Sequence, residues 1–337
     1  MACSIERHGS GAPRSIETAP ETQLIRQFFT DLGAARTDVV LGIGDDAALL
    51  RVAAGEDLVL TTDALVEGVH FLAGASARSL GHRVLAVNLS DIAAMGAIPN
   101  WALLALNLPR VDEVWLRNFA SGFGELARAH AVALVGGNVS RGPLSLTVAM
   151  AGTVPSGQGL RRDRARSGDA LYVSGTVGDA SAWLKCGRGE LTPSARAAEF
   201  LQRRFEYPTP RMALGAGLLG LASACIDVSD GLYADALRLL LASGCGARIE
   251  LPQLPVSWAL RDALGDRAWQ QALEGGEDYE LCFTAPESAH AAIAALAVRT
   301  ATPIAQIGRL RDATGIELVM NKSVMQFSPL GFDHFRS

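Results

Sequence analysis

Asp57-Leu-Val-Leu-Thr-Thr-Asp63 is a short apolar run that closes on two hydroxyls and a carboxylate. Its length and its Val/Leu/Thr composition read as a buried strand that delivers Asp63 at its end. The same device recurs at Gly42-Ile-Gly-Asp45-Asp46, Asn88-Leu-Ser-Asp91 and Ile226-Asp227-Val-Ser229-Asp230. A carboxylate beside core-forming residues is costly to desolvate unless a cation or strong donors compensate it. One such case could be a helix cap or a buried ion pair. Six carboxylates in four segments, with few basic residues between them, point to a shared cation. The hard, oxygen-seeking Mg²⁺ is the simplest choice, and it usually arrives with phosphates.

Outward from these segments the chain alternates strands and helices. Leu24, Ile25, Phe28, Phe29 and Leu32 have helical spacing up to Gly33. A helical pattern over Ser79–Met95 puts Asn88 and Asp91 on one side at i, i+3. A strand over Trp101–Leu108, an amphipathic helix over Val111–Ala129, a short strand over Val132–Val135 running into Gly136-Gly137-Asn138, and an alternating strand over Leu144–Val154 follow. Pro155-Ser-Gly-Gln-Gly159 reads as a linker. Beyond it come a strand at Ala170–Ser174, helices near 194–205 and 211–222, a strand at Ala224–Asp227, a helix from Leu232, and strands at Tyr279–Thr284, Ile304–Ile307 and Ile316–Val319. The expected organisation is a flexible arm over 1–20, an N-terminal domain over 21–154, and a C-terminal domain over 155–337. The fold class is α/β (α+β) in both halves.

A length of 337 residues suits two domains; 49% hydrophobic and 19% charged residues are those of an ordinary globular chain. A net charge of −5 without a basic run argues against a nucleic-acid surface. The five cysteines are scattered with no CxxC pair, and the first twenty residues lack an apolar core, so a reduced cytoplasmic protein is expected. The longest uncharged apolar stretch, Met212–Ile226, is too short and glycine-broken to span a membrane.

Each motif has a plain structural alternative. Gly42–Asp46 could be an acidic surface turn. Thr62-Asp63 could cap a following helix, as could Ser229 or Asp230 before Leu232. Gly275-Gly-Glu277-Asp-Tyr-Glu280 could be a charged hairpin turn, and His70 a lone core or surface histidine. Gly175-Thr-Val-Gly178 and Gly275-Gly276 could form nests of amides for phosphate. Asp91, among Leu89, Ile92, Ala93 and Met95, is harder to explain away. No Walker A loop, protein-kinase set, HExxH, Cys/His cluster or GxSxG is present. The residues therefore indicate oxygen-ligated Mg²⁺ with a phosphate ligand, and so phosphoryl transfer, with the acceptor unspecified.

Eight motifs, GIGDDAALL, TTDALVEGVHF, AVNLSDIAAMGA, GGNVSRGPL, SGTVGD, IDVSDGL, GGEDYELCFT and GFDHF, occur in that order between Glu21 and Phe335. In this the chain resembles the thiamine-monophosphate kinases of the aminoimidazole-ribonucleotide-synthetase-like superfamily. The resemblance implies ATP-dependent phosphorylation of thiamine monophosphate to thiamine diphosphate, by direct in-line transfer assisted by several Mg²⁺ ions. It implies metal ligands at Asp46, Thr61, Thr62, Asp63, Asp91, Asp227 and Asp230. It puts ATP contacts at Gly137, Asn138, Arg162 and Ser229, and thiamine-side contacts at His70, Glu277 and Phe332. It also implies an N-terminal sheet that pairs across a homodimer into a barrel, beside a C-terminal α/β domain. Two positions depart from the pattern. Asn138 stands where many members have Asp, yet its carbonyl oxygen keeps it in the metal set. Phe332 stands where Tyr or Trp is expected and can stack but not donate a hydrogen bond. Sister enzymes are less well matched: Cys3 lies in a lysine-free arm, unlike the reactive loop of selenophosphate synthetases, and the chain ends without the cysteine of hydrogenase-maturation proteins. A silent nucleotide-binding regulator would not need all six carboxylates.

Overall fold

The structure, a computed structural model, describes residues 20–327, so all but the end of the expected arm, and also Phe332, lie outside the described residues. The first half runs α1 (Pro20–Phe28), β1 (Val39–Leu41), β2 (Leu49–Leu50), β3 (Glu56–Val66), α2 (Ala77–Ala94), β4 (Ile98–Leu108), α3 (Glu113–Ala129), β5 (Ala133–Arg141) and β6 (Ser145–Pro155). The second runs β7 (Ala170–Ser174), α4 (Asp179–Gly187), α5 (Ala195–Glu206), α6 (Met212–Gly217), β8 (Ala224–Asp227), α7 (Leu232–Ser243), β9 (Gly246–Glu250), α8 (Trp258–Leu264), α9 (Ala268–Glu274), β10 (Leu281–Ala285), α10 (His290–Arg299), β11 (Ile304–Arg311), β12 (Gly315–Met320) and β13 (Ser323–Met325). The class is mixed α/β. Four strands pair in the order β3-β6-β4-β5 and seven in the order β13-β12-β9-β11-β7-β10-β8, and neither sheet closes on itself among the described residues.

Several local expectations are corrected by pairing. β3 does not stop at Asp63; it pairs with β6 through Val66↔Ser145, which leaves Asp63 opposite Val148 in the strand interior. β5 continues straight through Gly136-Gly137-Asn138, since it lies parallel to β4 with Leu104↔Gly137 and Ala105↔Asn138 in register. A side chain at Gly137, where φ is 150°, would run into the Leu104 backbone. α3 begins at Glu113 because Asp112 accepts from the Val114 and Trp115 amides and caps it. α1 stops at Phe28 rather than near Gly33, and α6 at Gly217 rather than near residue 222.

α2 is the centre of the molecule. Nearly all of Ser79–Ala94 is buried. Leu85, Leu89 and Ile92 share one core with Leu146 and Val148 of β6 and with Tyr172, Leu281 and Phe283 of the larger sheet. Such a helix needs apolar residues on every face rather than along one stripe. The opposite face of the four-stranded sheet is only partly covered among the described residues: Leu58, Leu60 and Leu103 are exposed there, Leu60 by 70%. No helix among the described residues is long and apolar enough to cross a membrane.

α2 and α3 touch backbone to backbone where Gly81 faces Phe119 and Gly122 faces Arg78, so a Cβ on either glycine would overlap a carbonyl oxygen. Gly122→Ala should therefore lower the free energy of unfolding by about 2–3 kcal/mol despite the better helix propensity of alanine. Equilibrium urea unfolding checks this; an unchanged midpoint would show that the helices separate freely.

Candidate active site

Strand alternation decides which side chains of β3 meet. Thr61 and Asp63 face α2, while Thr62 turns to the other side and donates its hydroxyl to the Val148 carbonyl (3.0 Å). Thr61 Oγ1 donates to Asp91 Oδ2 at 2.5 Å, and the Asp63 amide donates to Asn88 Oδ1 at 3.1 Å. Asn88 in turn donates to the Val84 carbonyl at 2.9 Å, which fixes its amide orientation. The i, i+3 pair read from the sequence thus grips neighbouring residues of one strand. The capping alternative for Thr62-Asp63 does not hold, as both lie within a strand.

From the second half, β8 brings Asp227, 4% exposed, onto the same helix, where Ser90 Oγ donates to its Oδ2 at 2.9 Å. The turn that follows is not capped by Ser229 or Asp230. Instead Asp235 reaches back and accepts from both of their amides (3.0 and 2.9 Å). The Asp230 carboxylate meets Arg238 at 2.5 Å, so it is partly neutralised by its own helix. The 275–280 segment runs alongside: the Glu277 amide donates to the Ser229 carbonyl (2.8 Å) and the Tyr279 amide to that of Val228 (2.9 Å). Glu277 projects from it, 19% exposed in its side chain, and accepts from Arg83 (2.5 Å) and from the Tyr279 hydroxyl (2.7 Å). It is no charged surface hairpin, since Asp278, Tyr279 and Glu280 are all buried.

His70 closes a tight turn in which its Nδ1 accepts from the Val66 amide at 3.1 Å. The neutral ring is thereby the Nε2–H tautomer. Arg83 Nη1 donates to its carbonyl at 2.8 Å.

The charges at this junction repel one another. Burial pushes the Asp63 carboxyl up to about 6, helped by the charges of Asp91, Glu277 and Asp230. Asp227 is pushed up to about 8, first by burial and then by Asp91, against the Ser90 hydrogen bond. Burial also raises Asp91, while its bond from Thr61 and the charge of Arg162 draw it down. Arg162 stands in the 3-10 turn Arg162–Arg164, held through its carbonyl by the Ser243 hydroxyl (2.7 Å). Among the described residues no three of His, Cys, Asp or Glu close around one point. The donor set nonetheless fits a hard cation: oxygen ligands from three elements, half-buried or buried, with their negative charge incompletely compensated.

Asp46, Gly137 and Asn138 lie elsewhere, with Thr61 and Thr62, along a cavity of about 1570 Å³ over the open face of the four-stranded sheet. Asp45 Oδ1 accepts from the Asp46 amide (2.8 Å) in that loop. The expected residues therefore form two groups, one on each side of β3, joined through Thr61. The Gly175–Gly178 nest is not available to phosphate, because its amides already serve the chain: the Gly178 and Ala180 amides donate to Asp278 (2.5 and 3.2 Å) and Gly175 to the Pro303 carbonyl (2.8 Å). At Gly275–Gly276 the Gly275 amide donates to the Gln271 carbonyl (2.8 Å). Sequence reading missed Arg83, Ser90, Tyr279 and Asp235 as parts of the site. The available signal was a charged or hydroxyl residue inside an otherwise apolar helix.

The AIR synthase related protein N-terminal domain matches residues 44–154, and the corresponding C-terminal domain matches residues 166–321. The chain belongs to the AIR synthase related family. Within that family it is similar to the thiamine-monophosphate kinase of Salmonella typhimurium, 43% identical over 94% of this chain and 98% of the relative. The crystal structure of thiamine-monophosphate kinase from Stenotrophomonas maltophilia K279a superposes with a TM-score of 0.81 at 46% identity, over 88% of this chain and 95% of that one. AaThiL, solved in complex with AMPPCP and TMP, superposes at 0.75 with 32% identity, over 85% and 89%.

Asp63 and Asp227 have folded pKa values above the 3.8 of a free carboxyl. Between about pH 4 and 8 the folded chain thus holds protons that the unfolded chain has released, and stability falls as pH rises through that window. In EDTA the decline attributable to Asp227 should be on the order of 1 kcal/mol per pH unit above pH 6, and Asp227→Asn should remove it. Mg²⁺ should raise Tm more at pH 8.5 than at pH 6, because protons compete for the same oxygens. Thermal melts across pH check both; a metal effect that does not vary with pH would contradict the shared site.

Proposed function

We propose that this chain transfers the terminal phosphoryl group of ATP to the phosphate of thiamine monophosphate, giving thiamine diphosphate. The observation that carries the proposal is the under-compensated carboxylate cluster between the two sheets, in a chain related over nearly its whole length to thiamine-monophosphate kinases. Its relative AaThiL is known with AMPPCP and TMP, an ATP analogue and the substrate this reaction requires.

Mg²⁺ held by Asp63, Asp91 and Asp227, with Asp46, Thr61, Thr62, Asn138 and Asp230 completing several sites, would neutralise phosphate oxygens during transfer. Arg162 faces the same cluster and supplies a fork of N–H donors for phosphate. Gly137 and Asn138 line the open cavity, and the Ser229 carbonyl accepts from the Glu277 amide; we assign Gly137, Asn138, Arg162 and Ser229 to ATP. We assign His70 and Glu277, held together by Arg83, to the thiamine end, and Phe332 would add a ring there. Catalysis then consists of positioning and charge stabilisation, with direct in-line transfer and no covalent intermediate on the protein. We place the division between the two domains at Pro155–Gly159.

The open face of the four-stranded sheet supports a homodimer in which two such sheets pair into a barrel. Leu58, Leu60 and Leu103 are exposed there, and exposed apolar surface of that kind is usually covered. Light scattering should give twice the 35.4 kDa chain mass. A single-chain mass at micromolar concentration would exclude the dimer.

Purified protein with ATP, Mg²⁺ and thiamine monophosphate should yield thiamine diphosphate and ADP in equal amounts. Asp63→Asn and Asp91→Asn should each lower kcat by at least ~10²-fold while leaving circular dichroism unchanged, the scale expected when charge stabilisation of the transferring group is damaged. Near-normal kcat in either variant at saturating Mg²⁺ would remove that residue from the metal set.

A further inference from the structure

We propose that Arg83 is a positioning residue that locks the two thiamine-side groups, His70 and Glu277, into one arrangement across the two halves of the molecule. The proposal rests on the functional reading above and adds a residue to it. Arg83 lies on α2 and is 1% exposed. Its Nη1 donates to the His70 carbonyl at 2.8 Å, and its Nη2 donates to Glu277 Oε2 at 2.5 Å, 194 positions away in sequence. The guanidinium lies 3.8 Å from the ring centroid of Phe205 on α5, which limits its rotation. One planar group therefore sets the turn that carries His70 and the carboxylate of Glu277 together.

Stability alone does not account for such a residue. Its Nε is buried with no hydrogen-bond partner, a loss that an apolar side chain of similar size would avoid. Glu277 and Tyr279 both adopt left-handed backbone conformations (φ 70° and 53°), which non-glycine residues hold only when their surroundings impose them. Tyr279 also donates to Glu277 Oε2, so both protein donors converge on one oxygen. Among the described residues no donor reaches Oε1, which is left as the acceptor for a ligand. A freely rotating carboxylate would offer its two oxygens interchangeably; this one cannot.

The test compares KM for thiamine monophosphate with KM for ATP. Arg83→Met should raise the first by about ten-fold and leave the second within two-fold, as expected when a hydrogen-bonding substrate contact is misplaced rather than removed. Arg83→Lys keeps the charge but cannot fork to both partners, so it should raise the same KM by about three-fold. Tyr279→Phe, which leaves no cavity, should do likewise and decides the matter if Arg83→Met does not fold. Arg83→Met added to Glu277→Gln should bring little further change, since the arginine acts through that carboxylate. The proposal is overturned if, in folded variants, the two KM values move together or not at all, or if the double variant shows the product of the single effects. A wild-type protein that makes no thiamine diphosphate would instead sink the functional reading, and this assignment with it.

Discussion

Helix α2 is buried on all sides, and that constraint organises the molecule. A polar side chain on such a helix has no water to turn to, so each must find a protein partner. Arg83 finds Glu277 and the His70 carbonyl; Asn88 finds the Asp63 amide and the Val84 carbonyl; Ser90 finds Asp227; Asp91 finds Thr61. Every one of these partners except Val84 is a residue of the proposed site. The helix thus holds a strand of one sheet and the strand-ends of the other in fixed relation, and it does so with hydrogen bonds rather than with apolar contact alone.

The same molecule treats buried carboxylates in two different ways. Burial alone would push Glu280 up, yet the guanidinium groups of Arg211 and Arg204, with Ser174, hold it below the ordinary range. Asp227, equally enclosed, receives one neutral hydroxyl and the charges of three further carboxylates, Asp91, Asp235 and Asp63, and is pushed up to about 8. Complete compensation at Glu280 makes a rigid joint between β10, α5 and the start of α6. Incomplete compensation at Asp227 leaves a negative field that a proton relieves and that, in the proposed function, a metal ion would relieve instead. The difference lies in which side chains surround each carboxylate, since both are buried to a similar degree.

Much of this was legible in the sequence, and the failures have definite causes. Carboxylates at the ends of apolar runs located Asp63, Asp91 and Asp227, because an uncompensated charge beside core residues is conspicuous in any linear reading. The strand boundary at Asp63 was misplaced: a polar residue looks like an end, but Val66 still has Ser145 to pair with. Thr62 was grouped with Thr61 although a period of two sends adjacent side chains to opposite faces. The strand ending expected at Val135 was set too early, because β5 continues through Gly136-Gly137 and Gly137 is needed for its close approach to β4. Arg83 stood out only as a charge inside an apolar helix; its partner could not be read, since Glu277 lies 194 positions on. Long-range pairing of this kind leaves no trace in local spacing.

The 275–280 segment shows how local and distant demands meet. Its composition, two glycines and three acids around a tyrosine, is that of a solvated turn, and in isolation it would form one. Here the Glu277 and Tyr279 amides are bonded to the β8 exit, Asp278 is clasped by the Gly178 and Ala180 amides, and Glu280 is clamped by two arginines. Three of the four consecutive side chains are thereby buried and satisfied, and the left-handed backbone at Glu277 and Tyr279 follows from fixing them at once. Glu277 is the one that still reaches solvent. A segment so thoroughly tied down on its other residues exposes that single carboxylate with very little freedom, which is the condition under which one oxygen can discriminate between ligands.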